Sequence, residues 1–282
     1  MMIARNLLLV FLAQTLVLGT CIASETKDSK KTKGLDITLL SEQSSIAPGS
    51  KFTVGVGIEH EKGFHTYWEN PGVVGMATSI KWKLPEGFSV EPIQWPYPEL
   101  SSMAGHPCHG YERDVMLMVE IQAPENLSGK EVRLTASLAW MCCADDCFPG
   151  FKDLSVTLMV SANPMLNKKN VLAFNQARNE LPLTNCPWEI VMLSQRDQAV
   201  IKIRLRTKPG SNGKDGKIAP KYIFSDDGQI SSDKKQQFIK QDDGSYLFTI
   251  DRYEYSPKLK KEFAGVLKAG DYHYSFQTTY KH

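Results

Sequence analysis

The chain has 282 residues, of which 42% are hydrophobic and 23% charged, the composition of a folded globular protein with core enough for one large or two ordinary domains. Lys and Arg number 33 against 31 Asp and Glu, a formal net charge of +2. The basic residues are scattered apart from a solvated-looking loop around Lys208 to Lys217, so neither nucleic acid nor an acidic membrane surface is the expected partner.

In chain order, the first feature is an export signal. Arg5 precedes an apolar run from Leu7 to Leu18, and small residues follow, with cleavage expected after Ala23. The run is shorter than the roughly 20 apolar residues that span a bilayer, and no later segment approaches that length. Leu18-Gly19-Thr20-Cys21 loosely resembles a lipoprotein signal, but Thr20 is a poor neighbour for an acylated cysteine, and the plain cleaved signal is preferred. The expectation is a periplasmic protein with residues 1–23 as signal peptide and 24–34 as a polar leader.

Strand signals then dominate. Phe52, Val54, Val56 and Ile58 alternate with Thr53, Gly55 and Gly57, and Ile80 to Leu84 alternate before the turn at Pro85-Glu86-Gly87. Val115–Ile121 and Val132–Trp140 read as an antiparallel hairpin, followed by a strand over Leu154–Val160. One helix is predicted over Asn167 to Glu180, with Val171, Leu172, Phe174 and Ala177 on a shared face and Pro182 as the stop. Alternation resumes at Ile201–Leu205, Tyr246–Ile250 and Tyr272–Phe276. Short strands punctuated by Gly, Pro and Asp predict an all-β chain: two immunoglobulin-like sandwiches, 35–162 and 183–282, joined by a short helical linker, 163–182.

The chemistry concentrates in Trp140-Met141-Cys142-Cys143-Ala144-Asp145-Asp146-Cys147-Phe148-Pro149. Loss of Cys21 with the signal leaves Cys108, Cys142, Cys143, Cys147 and Cys186, an odd set in an oxidising compartment, so at least one thiol stays free, binds metal or pairs between chains. In the predicted hairpin, residues just before Val115 approach those just after Trp140. That would gather Cys108, His106 and His109 beside Cys142, Cys143 and Cys147. Continuing the alternation of Val132, Leu134, Ala136, Leu138 and Trp140 points Cys142 to the core and Cys143 to the other side. A Cys143–Cys147 pair closes a short loop with feasible geometry; Cys142–Cys147 is open, and a vicinal Cys142–Cys143 bond is strained. Phe148-Pro149-Gly150 is expected to turn the chain away.

Magnitude favours chemistry over stapling. A loop of about five residues gains only about 2 kcal/mol of chain entropy, against about 4.7 kcal/mol for a loop of about a hundred. Asp145 and Asp146 in the loop disfavour thiolate, so the pair is expected to exchange with a thioredoxin-like partner rather than act as an independent oxidase. The rival reading is a Cu(I)-handling protein using Cys108, His106, His109 and Cys142, with Cys143 and Cys147 among its thiols. A structural sandwich with an inert cluster is the third.

Phe64-His65-Thr66-Tyr67-Trp68-Glu69-Asn70-Pro71-Gly72, Ile93-Gln94-Trp95-Pro96-Tyr97-Pro98, Gly110-Tyr111-Glu112 and Trp140 to Pro149 together resemble, in order and approximate spacing, the N-terminal periplasmic region of the DsbD/ScsB thiol:disulfide interchange proteins. The likeness covers most of 35–162, and Tyr222 to Ile230 resembles the second half of the ScsB-like subset. It implies an immunoglobulin-like sandwich that passes electrons from a thioredoxin-like domain or membrane thiol reductase to disulfide-bonded periplasmic clients, with no cofactor beyond the redox disulfide. It also implies that the redox pair is Cys143 and Cys147 and that Tyr67, Trp68 or Glu69 shields it; Cys142 is read beside that pair as a resolving or auxiliary thiol. Cys142 and Cys108 are extra relative to the family pattern. No membrane segment or thioredoxin domain follows in the 282 residues, so partners are expected to supply both.

Overall fold

The computed structural model describes residues 32–209, 218–257 and 260–281; the expected signal peptide, Cys21 and most of the polar leader lie outside them. In chain order the elements are β1 (Leu35–Ser41), β2 (Gln43–Ile46), β3 (Lys51–His60), β4 (Thr66–Gly72), β5 (Ser79–Lys83), β6 (Ser89–Val90), β7 (Glu99–Met103), β8 (His106–Tyr111), β9 (Val115–Gln122), β10 (Glu131–Cys143), β11 (Cys147–Val160) and β12 (Met165–Leu166). The helix α1 (Val171–Asn179) follows, then β13 (Trp188–Met192), β14 (Val200–Thr207), β15 (Pro220–Ser225), β16 (Phe238–Lys240), β17 (Tyr246–Asp251), β18 (Glu262–Ala269) and β19 (Tyr272–Thr279). The described chain is almost entirely β, as its alternating apolar pattern predicts.

In the first half, a sheet of order β1-β3-β9-β6 faces a sheet of order β12-β2-β11-β10-β5. Val54, Val119, Ile121 and Leu134 fill one end of the space between them, and Leu117, Val56, Leu138 and Trp140 the other. A small third sheet, β4-β8-β7, covers one end. In the second half, β13-β14-β17-β16 and β15-β18-β19 share a core built on Ile201, Ile203, Phe248, Phe263 and Leu267.

Two expectations about the strands are corrected. β9 and β10 are not a hairpin: β9 pairs with β3 and β6, whereas β10 pairs with β11 and β5 in the opposite sheet. The segment 123–130 is longer than the two to five residues usual for a hairpin loop, and it crosses between layers. β9 is also apolar on both sides, as a strand covered twice must be. Leu117 and Val119 point into the sandwich, and Met116 and Met118 lie under α1. Phe148-Pro149-Gly150, read as a turn, lies inside β11 opposite Cys142, Met141 and Trp140. Pro149 is tolerated because β11 meets its other neighbour, β2, only at Met159 and Val160, leaving this stretch an edge.

The helix packs Phe174 and Ala177 onto Met116 and Met118, so it belongs to the outer surface of the first sheet. Leu172, expected on its buried face, is 66% exposed. The halves meet through side chains rather than through the helix alone. Trp68 meets Phe224 edge-on, Tyr97 stacks on His273 with ring centroids 4.1 Å apart, and Ser232 donates to Pro107 O at 2.7 Å while accepting from Val73 N at 3.0 Å.

Candidate functional site

The site forms where the long ladder of β10 and β11 ends. Register continues unbroken from Glu131↔Met159 to Cys143↔Cys147, leaving only Ala144, Asp145 and Asp146 to turn the chain, and Ala144 N donates to Asp146 O at 3.0 Å. Direct opposition in the ladder brings the two sulfurs together, and Cys143 and Cys147 are disulfide-bonded with Cα atoms 4.1 Å apart. Alternation along β10 sends Trp140 and Cys142 into the sandwich core and Cys143 to the opposite side.

The two cysteines differ in exposure. Cys143 is 0% exposed, packed with Tyr67 and Cys108 beneath the edge of the small sheet, and its backbone is tied to His65 by two hydrogen bonds of 3.0 and 2.9 Å. Cys147 is exposed. A visiting thiol therefore meets Cys147 first.

Tyr67 supplies the polar contact. Its hydroxyl donates to Cys143 Sγ at 3.0 Å and lies 3.9 Å from Cys147 Sγ, while His65 Nε2 is 3.2 Å from the same oxygen. Burial pushes the Tyr67 phenol up to about 12, so it stays protonated and able to donate, and burial likewise pulls the His65 imidazole down. His65 and Tyr67 are two residues apart and share one strand face, which is how one segment delivers both. On the side of the ladder that Cys142 shares, Phe64 and Phe148 meet at 6.3 Å between centroids, and Lys33 Nζ lies 3.8 Å from the Phe148 centroid.

The other expected site residues scatter. Cys142 is fully buried on the core side, and burial pushes its thiol up to about 11. Cys108 is also fully buried, beside Tyr67, and burial raises it to about 11 against a lowering hydrogen bond from Ser101. Cys186 lies in the core of the second half, outside any disulfide, as are Cys108 and Cys142. His106 is exposed at the start of β8. His109 is buried, with Nδ1 3.3 Å from Asn70 O and Nε2 3.0 Å from Tyr222 Oη, and burial lowers it to about 4. Among the described residues no group of three or more His, Cys, Asp or Glu side chains is arranged to hold a metal, so Cys108, His106, His109 and Cys142 are not gathered into one ligand set.

Of the three residues that the family resemblance offered as shields, only Tyr67 touches the disulfide through a hydrogen bond. Trp68 and Glu69 line a cleft of about 470 Å³ between the halves, with Trp95, Asp226 and Phe276. Glu69 keeps solvent contact there, yet partial burial and then the neighbouring Asp226 carboxylate raise it to about 7.

Residues 38–158 match the family model described as thiol:disulfide interchange protein DsbD, N-terminal. The match spans under half of the 282-residue chain, and the Cys143–Cys147 disulfide lies near the C-terminal end of the matched segment. Over nearly the whole chain, the fold is similar to the crystal structure of the N-terminal periplasmic domain of ScsB from Proteus mirabilis: TM-score 0.62 at 19% identity, covering 89% of this chain and 94% of that one. The major pilin subunit BcpA of Bacillus cereus aligns at TM-score 0.28 and 11% identity, over 83% of this chain and 59% of that one, too low to carry an argument. The search of curated proteins found no match. No helix among the described residues is long and apolar enough to cross a membrane.

Proposed function

We propose that the chain is a periplasmic thiol–disulfide exchange module that relays electrons between a thioredoxin-like or membrane thiol reductase and disulfide-bonded client proteins, using Cys143 and Cys147 and no further cofactor. The observation that carries this reading is the asymmetry of the pair: Cys147 is an exposed residue, and Cys143 is fully buried beneath a phenol that donates to its sulfur.

The steps follow from that asymmetry. A thiolate of the reduced partner attacks Cys147 Sγ, the Cys143–Cys147 bond breaks, and Cys143 leaves as a thiolate. Exchange is faster when the leaving sulfur is the better-stabilised anion. Here the Tyr67 hydroxyl, held protonated by its raised pKa, donates to that anion, a charge-assisted bond stronger than a neutral one. The partner's second thiol then attacks its own sulfur in the mixed disulfide and releases Cys147. Two electrons have passed: the partner holds a disulfide and Cys143 and Cys147 are thiols. Towards a client the order reverses, with Cys147 attacking and Cys143 resolving. Cys142, buried on the opposite side of the strand, stays outside these steps.

The same reading takes 35–162 as an immunoglobulin-like sandwich carrying the site, 163–182 as the connecting segment and 183–282 as a second sandwich that buttresses the first. Export depends on residues 1–23. A redox titration in thiol buffers, quenched by alkylation and read by mass, tests the function. The exposed sulfur and short ring predict a Cys143–Cys147 couple well above the roughly −300 mV typical of structural disulfides. A couple below that value, with no exchange with reduced thioredoxin, would contradict it.

A further inference from the structure

We propose that the outer face of the β10–β11 ladder is the docking surface for the thiol-bearing partner, with Phe151 as its apolar anchor. The proposal rests on the exchange reading of Cys143 and Cys147 and adds where the partner sits and what holds it.

Register supplies the geometry. Cys143 faces Cys147, Met141 faces Pro149, and Ala139 faces Phe151. Side chains two apart along a strand share a face, so these six lie on one side of the sheet, opposite the side on which Leu138, Trp140 and Cys142 enter the core. At the end where the small sheet covers the ladder, this face buries Cys143. Beyond that cover it opens: Cys147 and Pro149 are exposed, and Phe151 is 75% exposed.

A single exposed phenylalanine is ordinary. Its position is what matters here. Phe151 stands four residues from the exposed sulfur on the same strand face, about 14 Å away at the rise of an antiparallel strand. A standard interface covers about 800 Å² per partner, a disc of about 16 Å radius, so a protein centred on Cys147 reaches Phe151. Met141 and Ala139 lie across the ladder, partly buried, and complete an apolar stripe.

Polar groups bound the stripe. The next ladder pair is Ser137 with Asp153, and Lys83 of β5 closes an ion pair to Asp153 at 2.9 Å. An apolar centre with a polar rim is the composition of a protein interface core. The apolar stripe running from Cys147 to Phe151 suits a partner whose reactive cysteine is ringed by apolar residues, as in a thioredoxin-like dithiol protein.

The test compares two reductants of the full chain, with reduction of Cys143–Cys147 followed by alkylation and mass. Dithiothreitol needs only access to Cys147 Sγ, whereas reduced thioredoxin, used as the protein probe, must also dock. Phe151→Ser is expected to slow reduction by thioredoxin about tenfold, as loss of an aromatic hot spot does, and to leave the dithiothreitol rate within about twofold. Leu172→Ser, which removes a side chain of similar exposure on α1, should change neither rate. The proposal is overturned if Phe151→Ser leaves both rates unchanged, if both fall in parallel, or if Leu172→Ser slows thioredoxin as much. A wild-type disulfide that neither reductant opens would overturn the exchange reading itself, a different result from any of these.

Discussion

Tyr67 is the residue on which the proposed chemistry turns, because it places a donor that burial keeps protonated at neutral pH 3.0 Å from the sulfur that must leave. Hydrogen bonds to charged groups contribute about 1.5–3 kcal/mol, and only part of that is expressed while charge is still building on Cys143. Tyr67→Phe keeps the ring and removes the donor. The second-order rate of reduction by dithiothreitol should fall about tenfold, equivalent to about 1.4 kcal/mol of barrier, with the thermal midpoint little changed. An unchanged rate would remove the hydroxyl from the mechanism. A spacing of four and the alternation of Val132 to Trp140 made a Cys143–Cys147 pair feasible but left Cys142–Cys147 open, and the family resemblance chose between them. The donor was not legible from spacing: Tyr67 is 76 positions from Cys143, and only the family resemblance pointed at its segment. The burial of Cys142 followed from that alternation, whereas nothing in the sequence buried Cys108; burial raises both thiols to about 11.

At the scale of elements, the β10–β11 ladder holds the site at the end of thirteen successive partner pairs, so whatever disturbs its last turns disturbs the disulfide. Gly150 is the tight point. A Cβ there would stand 2.2 Å from Trp140 Cε2, within the stretch that leads directly to Cys143 and Cys147. Gly150→Ala must displace a fully buried indole, and overpacking of this kind costs about 1–3 kcal/mol. Denaturant titration should show that loss, and a variant as stable as wild type would mean that Trp140 has room to move. Strand identity was readable from alternation, as β3, β10, β14 and β19 show. Pairing was not, because alternation reports which face is buried and carries no label for the neighbouring strand. The β9–β10 error came from this, although two signals argued against a hairpin: an eight-residue connection, 123–130, and an apolar run buried on both sides. Cys108 still comes to lie near Cys143, brought there by β8 in the small sheet rather than by a hairpin.

On the scale of the molecule, the second half clamps the strands that carry Tyr67 and Cys108. Asn70 donates to Ser225 O at 2.5 Å, Ser232 ties Val73 to Pro107, and His109 reaches Tyr222. None of these links was visible in sequence, since each joins positions more than a hundred residues apart. Two of the junction's groups titrate in a useful range. Burial pulls His109 and His273 down to about 4, so both are neutral in the folded state, whereas the unfolded chain takes up those protons near 6.5. Their contribution to stability is fully present above about pH 6.5 and is lost as pH falls towards about 4. Glu69, raised to about 7 in the cleft, works oppositely: the folded state holds its proton more tightly, which offsets part of the loss between about pH 7 and 4.5. The unfolding midpoint should therefore fall between pH 6.5 and 4, and His109→Gln, which keeps a donor and an acceptor but does not titrate, should flatten that fall. An acid limb identical in the variant would locate the sensitivity elsewhere. The central claim, that exchange enters through the exposed sulfur and leaves through the buried one, is tested most directly by trapping. Cys143→Ser and Cys147→Ser variants are each mixed with a thioredoxin activated as a mixed disulfide with a chromogenic thiol, and the adduct is mapped by mass spectrometry. The account predicts rapid adduct formation at Cys147 in the first variant and little or none at Cys143 in the second; equal rates, or faster capture at Cys143, would contradict it.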